Sequence, residues 1–208
     1  MQSESSLSTA TRSKRAPKQA QLGRTTRAIL DAAAALLAES GYRALTIEQI
    51  SQRSGVARSS IYRRWRNTAE LAIDAFDTAL GPNPPIPDEG DIRSDLVLLY
   101  KRFTRILERP IWRSVFPSII EASQTDSRFD GLLSALVGAR RESERSIFRR
   151  AIERGEIRAD APVEWALDAM TGAYYHRLLM TGADLGEEGM TEWLVDSILT
   201  RMRVPPES

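Results

Sequence analysis

Apolar positions recur along most of this chain at three- and four-residue steps, the spacing that lines one face of a helix. Ile29, Ala33, Leu36 and Leu37 form the first such stripe, beginning near Thr26. Gly41 follows, where a left-handed residue can end a helix. Thr46 with Gln49 three residues on reads as a capping box, and Leu45 and Ile50 flank it as a hydrophobic staple. This predicts a short second helix ending near Ser54, with Gly55 free to take positive φ in the turn. A third short helix is expected from Ala57 to Trp65, with Ile61 and Trp65 inward. Asn67 and Glu70 offer a cap pair for a fourth helix reaching Leu80.

Residues 81–90 hold four prolines and break the pattern. Helical spacing then resumes in Ile92, Leu96, Leu99, Phe103 and Ile106. Arg109-Pro110 interrupts it. Trp112, Phe116 and Ile119 make another stripe, which Pro117 should kink or split. A long helix is expected over 127–154, ended by Gly155. Another is expected over 162–181, capped by Asp160 and stopped by Gly182, and a last one over 191–203. No alternating strand of useful length occurs. The expected fold is therefore all-α, with about nine helices: an N-terminal three-helix head, then a C-terminal helical core. The expected boundaries are a flexible basic arm at 1–23, the head at 24–66, and a regulatory and dimerisation region at 67–208.

Charge sharpens this division. The formal net charge is only +1, yet residues 1–66 carry twelve Lys and Arg against four Asp and Glu, and the remainder carries seventeen against twenty-four. A basic end on an acidic body suggests a polyanion partner. Cysteine is absent and His176 is the single histidine, which excludes disulfides, thiolate metal sites and cysteine nucleophiles. No metal site or cofactor is expected. The longest apolar run, Ala32 to Ala38, is too short to span a bilayer, so no membrane partner is expected and the cytoplasm is the expected compartment. The chain carries no GxSxG, no phosphate-binding glycine loop and no HExxH, so no enzyme constellation is present.

The stretch Thr46 to Trp65 carries the functional signal. Helix, glycine turn and helix share a small core of Ile50, Val56 and Ile61, which is helix-turn-helix geometry. Its second helix would enter the DNA major groove by its N-terminal residues. Arg58, Ser59 and Ser60 stand there, and Arg both binds phosphate and pairs bidentately with guanine. Tyr62, Arg63 and Arg64 add a hydroxyl and charge, and Lys14, Arg15 and Arg24 make the preceding segment basic.

The pattern Gly41-Tyr42, Thr46-Ile47-xx-Ile50, Gly55-Val56, Ile61-Tyr62-xx-Trp65, xx-Thr68-xx-Leu71 resembles the DNA-binding domain of TetR-family transcriptional regulators, over about residues 24–76. The resemblance implies an all-helical homodimer, a ligand-responsive repressor acting on a palindromic double-stranded DNA operator. It places phosphate contacts at Thr46 and Tyr62 and base contacts at Arg58, Ser59, Ser60 and Arg63. Three positions depart from the family pattern. Ala57 replaces a capping Ser or Thr, Trp65 replaces Phe, and Thr68 replaces a frequent Lys.

For the core, Ala166, Ala169, Gly172 and Ala173 would let another helix approach closely. Trp193, Leu194, Ile198 and Met202 give the last helix its own apolar face. Two such helices from each chain would make a four-helix dimer seam. The residues Phe103, Trp112, Phe116, Ile120, Phe148, Met170 and Tyr174 are the bulky candidates to line a site for a small apolar or aromatic ligand, with His176 as a polar anchor. The same residues would equally make plain core. A DNA-binding dimer with no small-molecule effector, constitutive or architectural, is the alternative. The arginine-rich run 140–154 is expected to be a solvated face, with Arg140–Glu144 and Arg149–Glu153 as i,i+4 pairs.

Overall fold

The structure, a computed structural model, describes the backbone of residues 7–203 and the side chains of residues 23–203. Ten α-helices appear among the described residues: α1 (Leu7–Ser40), α2 (Ile47–Ser54), α3 (Arg58–Tyr62), α4 (Thr68–Leu80), α5 (Ile92–Leu107), α6 (Pro110–Ser114), α7 (Phe116–Thr125), α8 (Leu132–Glu153), α9 (Val163–His176) and α10 (Met190–Leu199). The only β pairing among them is an isolated bridge between Ile157 and Arg203. The all-α expectation holds. The tenth helix arises because the stripe expected around Trp112 is divided. Pro110 opens α6, Val115 closes it, and Pro117 lies in the first turn of α7, where its missing N–H has no partner to lose.

The chain forms two compact units. One comprises residues 1–79 with 118–129, the other residues 80–117 with 130–208. The head thus extends past the expected boundary at 66, taking in most of α4 and a return segment from α7.

In the first unit, α1 is longer than its apolar stripe. The backbone of residues 7–22 continues the helix into the stretch expected as a flexible basic arm. Ala, Lys, Gln and Arg in this stretch favour helix, and extending an existing helix avoids the cost of nucleation. Ile29, Ala33, Leu37, Ile50, Ile61, Leu71, Ala72 and Phe76 are buried and form this unit's core. The turn from α2 to α3 is fixed locally. Gly55 adopts φ 68°, and the Ser51 hydroxyl donates to the Val56 carbonyl at 2.8 Å.

In the second unit, Leu96, Tyr100, Leu107, Ile147, Phe148, Leu167, Met170, Tyr174, Val195 and Leu199 are buried. The α5 face rotates toward Tyr100, Thr104 and Leu107 as the helix proceeds, so Phe103 and Ile106 end half-buried. A short 3₁₀ turn precedes α8, which begins only after Gly131 at φ 73°. Asp160 does not cap α9. Pro162 holds the N-cap position, and Asp160 turns to Arg158 at 3.4 Å. After His176 the helix widens into a π turn, Arg177–Thr181, ended by Gly182 at φ 66°.

Ion pairs sew the second unit together. Arg141 meets Asp168 at 2.7 Å and Arg145 meets Glu164 at 2.6 Å, joining α8 to α9. Arg93 meets Asp196 at 2.7 Å, joining α5 to α10. The expected pairs along α8 do not form. Arg140 donates to the Asn83 side chain and the Gly81 carbonyl, Arg149 pairs with Glu142, and Glu144 turns inward. An arginine N-terminal to its glutamate is the weaker i,i+4 order, so other partners prevail.

Candidate nucleic-acid interface

Thr46 caps α2 with reciprocal bonds. Its side chain accepts from the Gln49 amide at 3.2 Å, and the Gln49 side chain accepts from the Thr46 amide at 3.2 Å. This anchors the first turn of α2 with Thr46 exposed. α3 starts without side-chain help, since Ala57 makes no cap bond. It spans five residues, and backbone bonds from Arg64 and Trp65 back to Ile61 carry the turn onward. Ile61 and Trp65 are buried. The Trp65 indole N–H donates to Asp74 at 2.7 Å, so the bulkier ring is held to α4 by its polar edge.

With Ile61 inward, Arg58, Ser59, Tyr62 and Arg63 face solvent. Tyr62 is 58% exposed, too much for a side chain serving only the core. Arg58 pairs with Glu48 at 2.6 Å, both side chains more than half exposed. An exposed pair is worth at most about 1 kcal/mol, so a nucleic acid can displace it. Ser60 is half-buried, and Arg64 bends back to the Ser60 carbonyl at 2.9 Å. Arg64 therefore braces its own helix rather than reaching outward. Arg24 is exposed on α1, and the Lys14 and Arg15 side chains lie outside the described residues.

Thr46, Glu48, Arg58 and Tyr62 share a groove of about 850 Å³ with Tyr42, Thr68, Glu121, Asp126 and Arg128. Sequence reasoning missed the support behind it. Tyr42 is buried, its hydroxyl lies 3.2 Å from the Thr68 hydroxyl, and it donates to Asp126 at 3.2 Å. Burial pushes the Tyr42 hydroxyl up. Hydrogen bonds from Arg128 hold the Asp126 carboxyl down at about 2. The Phe129 ring packs edge-on to Tyr42 at 4.7 Å. Thr68, the departure from a frequent lysine, thus belongs to a hydroxyl network. In the sequence pattern only Gly41-Tyr42 and Thr68 hinted at this, because the other partners come from residues 118–129.

The ligand candidates divide. Tyr100, Phe103, Trp112, Phe116, Tyr174 and Tyr175 form one aromatic cluster in the second unit, with successive ring centroids 4.8 to 6.2 Å apart. Phe148 and Met170 are fully buried. Ile120 belongs to the first unit, so the cluster forms without it. His176 is exposed and lines a groove of about 630 Å³ with Glu187, Trp193 and Leu194, away from the rings. It is not an anchor for that cluster, because the helix phase that turns Tyr174 inward turns His176 out.

The seam candidates divide too. Trp193 is 70% exposed, Ala169 and Gly172 are exposed, and Ala173 and Ile198 are half-buried. Ala166, Leu194 and Met202 are buried within the single chain, so they pack in its own core. Trp165 and Met180, each 76% exposed, were missed. They continue the outward face of α9 at steps of three to four residues.

Among the described residues no helix is long and apolar enough to cross a membrane, and no cluster of ligating side chains could hold a metal ion.

Comparison with known proteins agrees with this arrangement. Residues 29–75 match the family model described as bacterial regulatory proteins, tetR family. Residues 86–198 match the model described as tetracyclin repressor-like, C-terminal domain. The chain is 28% identical over 174 residues to the uncharacterized HTH-type transcriptional regulator YdeS of Bacillus subtilis, covering 83% of this chain and 87% of that protein. It is 27% identical over 176 residues to the DNA-binding transcriptional repressor TetR of Mycobacteroides abscessus, covering 83% and 90%. The crystal structure of the TetR family transcription regulator SCO0332 superposes with a TM-score of 0.60 at 30% identity, covering 87% of this chain and 99% of that one.

Proposed function

Because the chain belongs to the TetR family and is a DNA-binding transcriptional regulator, we propose that it acts as a homodimeric repressor on a roughly palindromic operator and releases DNA when a small molecule occupies the aromatic cluster of its second unit. The observation that carries the DNA reading is the exposed Arg58, Ser59 and Tyr62 on a helix whose other face is locked by buried Ile61 and Trp65. Arg58 and Ser59 read bases in the major groove, and Thr46 and Tyr62 bind phosphate. Such work on chromosomal DNA fits the cytoplasm.

A five-residue recognition helix offers too little surface for tight specific binding alone. Two heads can read two half-sites centred about one helical turn apart or a multiple of it. The exposed stripe of Trp165, Ala169 and Gly172 on α9, continued by Met180 in the π turn, with Trp193 on α10, supports the dimer reading. Large exposed apolar side chains aligned on one face mark an interaction surface. The effector reading rests on the aromatic cluster. Occupancy shifts the protein only if the molecule binds the DNA-free conformation better than the DNA-bound one.

The test is a double variant, Ala169→Glu with Trp193→Glu, examined by sedimentation and by operator titration on the same sample. Monomers with a folded head that lose specific binding are expected. Monomers that keep wild-type operator affinity overturn the dimer reading. An operator complex that no small molecule dissociates leaves the constitutive regulator standing in place of the effector-controlled one.

A further inference from the structure

Glu144 on α8 is the acidic residue of the arginine-rich run whose carboxylate turns into the second unit. Its Oε2 atom is shielded from solvent and has no hydrogen-bond partner among the described residues. The side chain faces the Tyr100 hydroxyl of α5 and Tyr175 of α9. The Tyr100 hydroxyl also lies 3.5 Å from that of Thr171. The rings of Tyr100 and Tyr174 stack at 5.6 Å, and Phe103 stands edge-on to Tyr100 at 5.8 Å. Two arginines of α8 stand near this carboxylate, but each is committed elsewhere. Arg141 donates to Asp168 at 2.7 Å, and Arg145 donates to Glu164 at 2.6 and 3.1 Å.

A buried carboxylate oxygen without a donor is costly, and proteins keep such groups paired. An apolar ligand filling this cluster would leave it orphaned. An anionic ligand would set two like charges together in a poorly solvated site. A protonated nitrogen would donate to Oε2, while the surrounding ring faces attract its charge. Phe103, Tyr175 and Glu144 are each only half-buried as residues, so the cluster is not sealed.

We propose that Glu144 is the polar anchor of the effector site, and that the effector is an amine carried on an aromatic or aliphatic body. This rests on the reading that the second unit binds a small molecule. It names a residue outside the bulky candidates of the sequence pattern and narrows the ligand from merely apolar to cationic and apolar.

Three probes with one tail test it: 4-phenylbutylamine, 4-phenylbutan-1-ol and 4-phenylbutanoic acid. Each is titrated calorimetrically into the full chain and into its Glu144→Gln variant at pH 8. The wild type should bind the amine at least tenfold more tightly than the acid. Glu144→Gln should weaken the amine at least tenfold and leave the alcohol unchanged. If the variant does not fold, the wild type decides by pH. Burial raises the Glu144 carboxyl, so the amine's affinity should fall severalfold from pH 8 to pH 6 while the alcohol's stays level. The other groups facing Glu144 hold their charge across that range. Burial raises the Tyr100 and Tyr175 hydroxyls, Arg145 lowers the Glu164 carboxyl, and Glu164 in turn raises Arg145. Alcohol or acid binding as tightly as the amine, or an amine affinity indifferent both to Glu144→Gln and to pH, overturns the anchor while the effector reading survives. Binding by none of the three also overturns the anchor, and the effector reading is then judged by operator release alone.

Discussion

The two units use side chains in opposite ways. In the helix-turn-helix of the head the bonds join near neighbours: Thr46 with Gln49, Ser51 with Val56, Arg58 with Glu48, Trp65 with Asp74, while the Tyr42 support behind it reaches far, to Asp126 across 84 positions. In the second unit the bonds join distant ones. Tyr100 meets Thr171 across 71 positions, Asp95 meets Arg150 across 55, and Arg93 meets Asp196 across 103. The helix-turn-helix displays its chemistry on an exposed surface whose helices are set by short-range rules. The second unit hides its chemistry, and buried polar groups there carry larger free energies than exposed ones. Substitutions in the second unit should therefore change stability first, and substitutions on the head surface should change DNA binding while leaving stability in place.

The largest effect is expected at Asp95. It is fully buried, accepts from the Glu89 amide at 2.6 Å, and meets Arg150 at 3.2 Å. Asp95→Ala leaves the arginine without that partner, a change that costs about 3–5 kcal/mol in buried pairs. Urea unfolding should show it. A loss under about 1 kcal/mol, the scale of an exposed pair, would erase the contrast between the two units.

Next comes Glu144. Burial raises its carboxyl from its usual 4.5 to about 7. Between those values the folded chain holds a proton that the unfolded chain has released. This group's contribution to stability therefore falls as pH rises through that window, and levels off above it. The full change is about 3 kcal/mol, from the size of the shift. The stability difference between wild type and Glu144→Gln, measured at pH 5 and pH 8, should move against the wild type by that order. A difference that does not change with pH would mean that Glu144 titrates as a surface acid.

Arg58→Ala should cost about 1–3 kcal/mol of operator binding if Arg58 reads a guanine. It should barely alter the unfolding midpoint. Tyr62→Phe should weaken operator and random DNA alike, because a phosphate contact carries no sequence information. Equal losses on both DNAs for Arg58→Ala would move Arg58 from the base-reading group to the phosphate group.

The smallest effect is a gain. Ala57 leaves α3 without a side-chain cap. Ala57→Ser should stabilise the head by about 1 kcal/mol or less, read as a small rise in the unfolding midpoint. A fall instead would show that the backbone here cannot place the hydroxyl against the α3 amides.

What the sequence determined by itself follows from range. The Thr46–Gln49 box, the Gly55 turn, the inward Ile61 and Trp65 and the outward Arg58 and Tyr62 all depend on residues a few positions apart. Helix phase and capping settle such relations before any tertiary contact exists. The helical phase of α9 likewise made Ala169 and Ala173 expected seam positions, and the fold leaves Ala169 exposed and Ala173 half-buried. Other features needed the folded chain. The sequence paired Glu144 with Arg140, yet the packing of α8 against α5 and α9 turned it toward Tyr100 and Tyr175. Met202, Leu194 and Ala166 had apolar or small side chains suited to either a seam or a core, and only the packing of the protomer assigned them inward. Trp165 and Met180 could have been either, and the same packing left them out. Periodicity says which residues share a face of a helix. Only the tertiary structure decides what that face meets, because burial is a property of neighbours brought together from far along the chain.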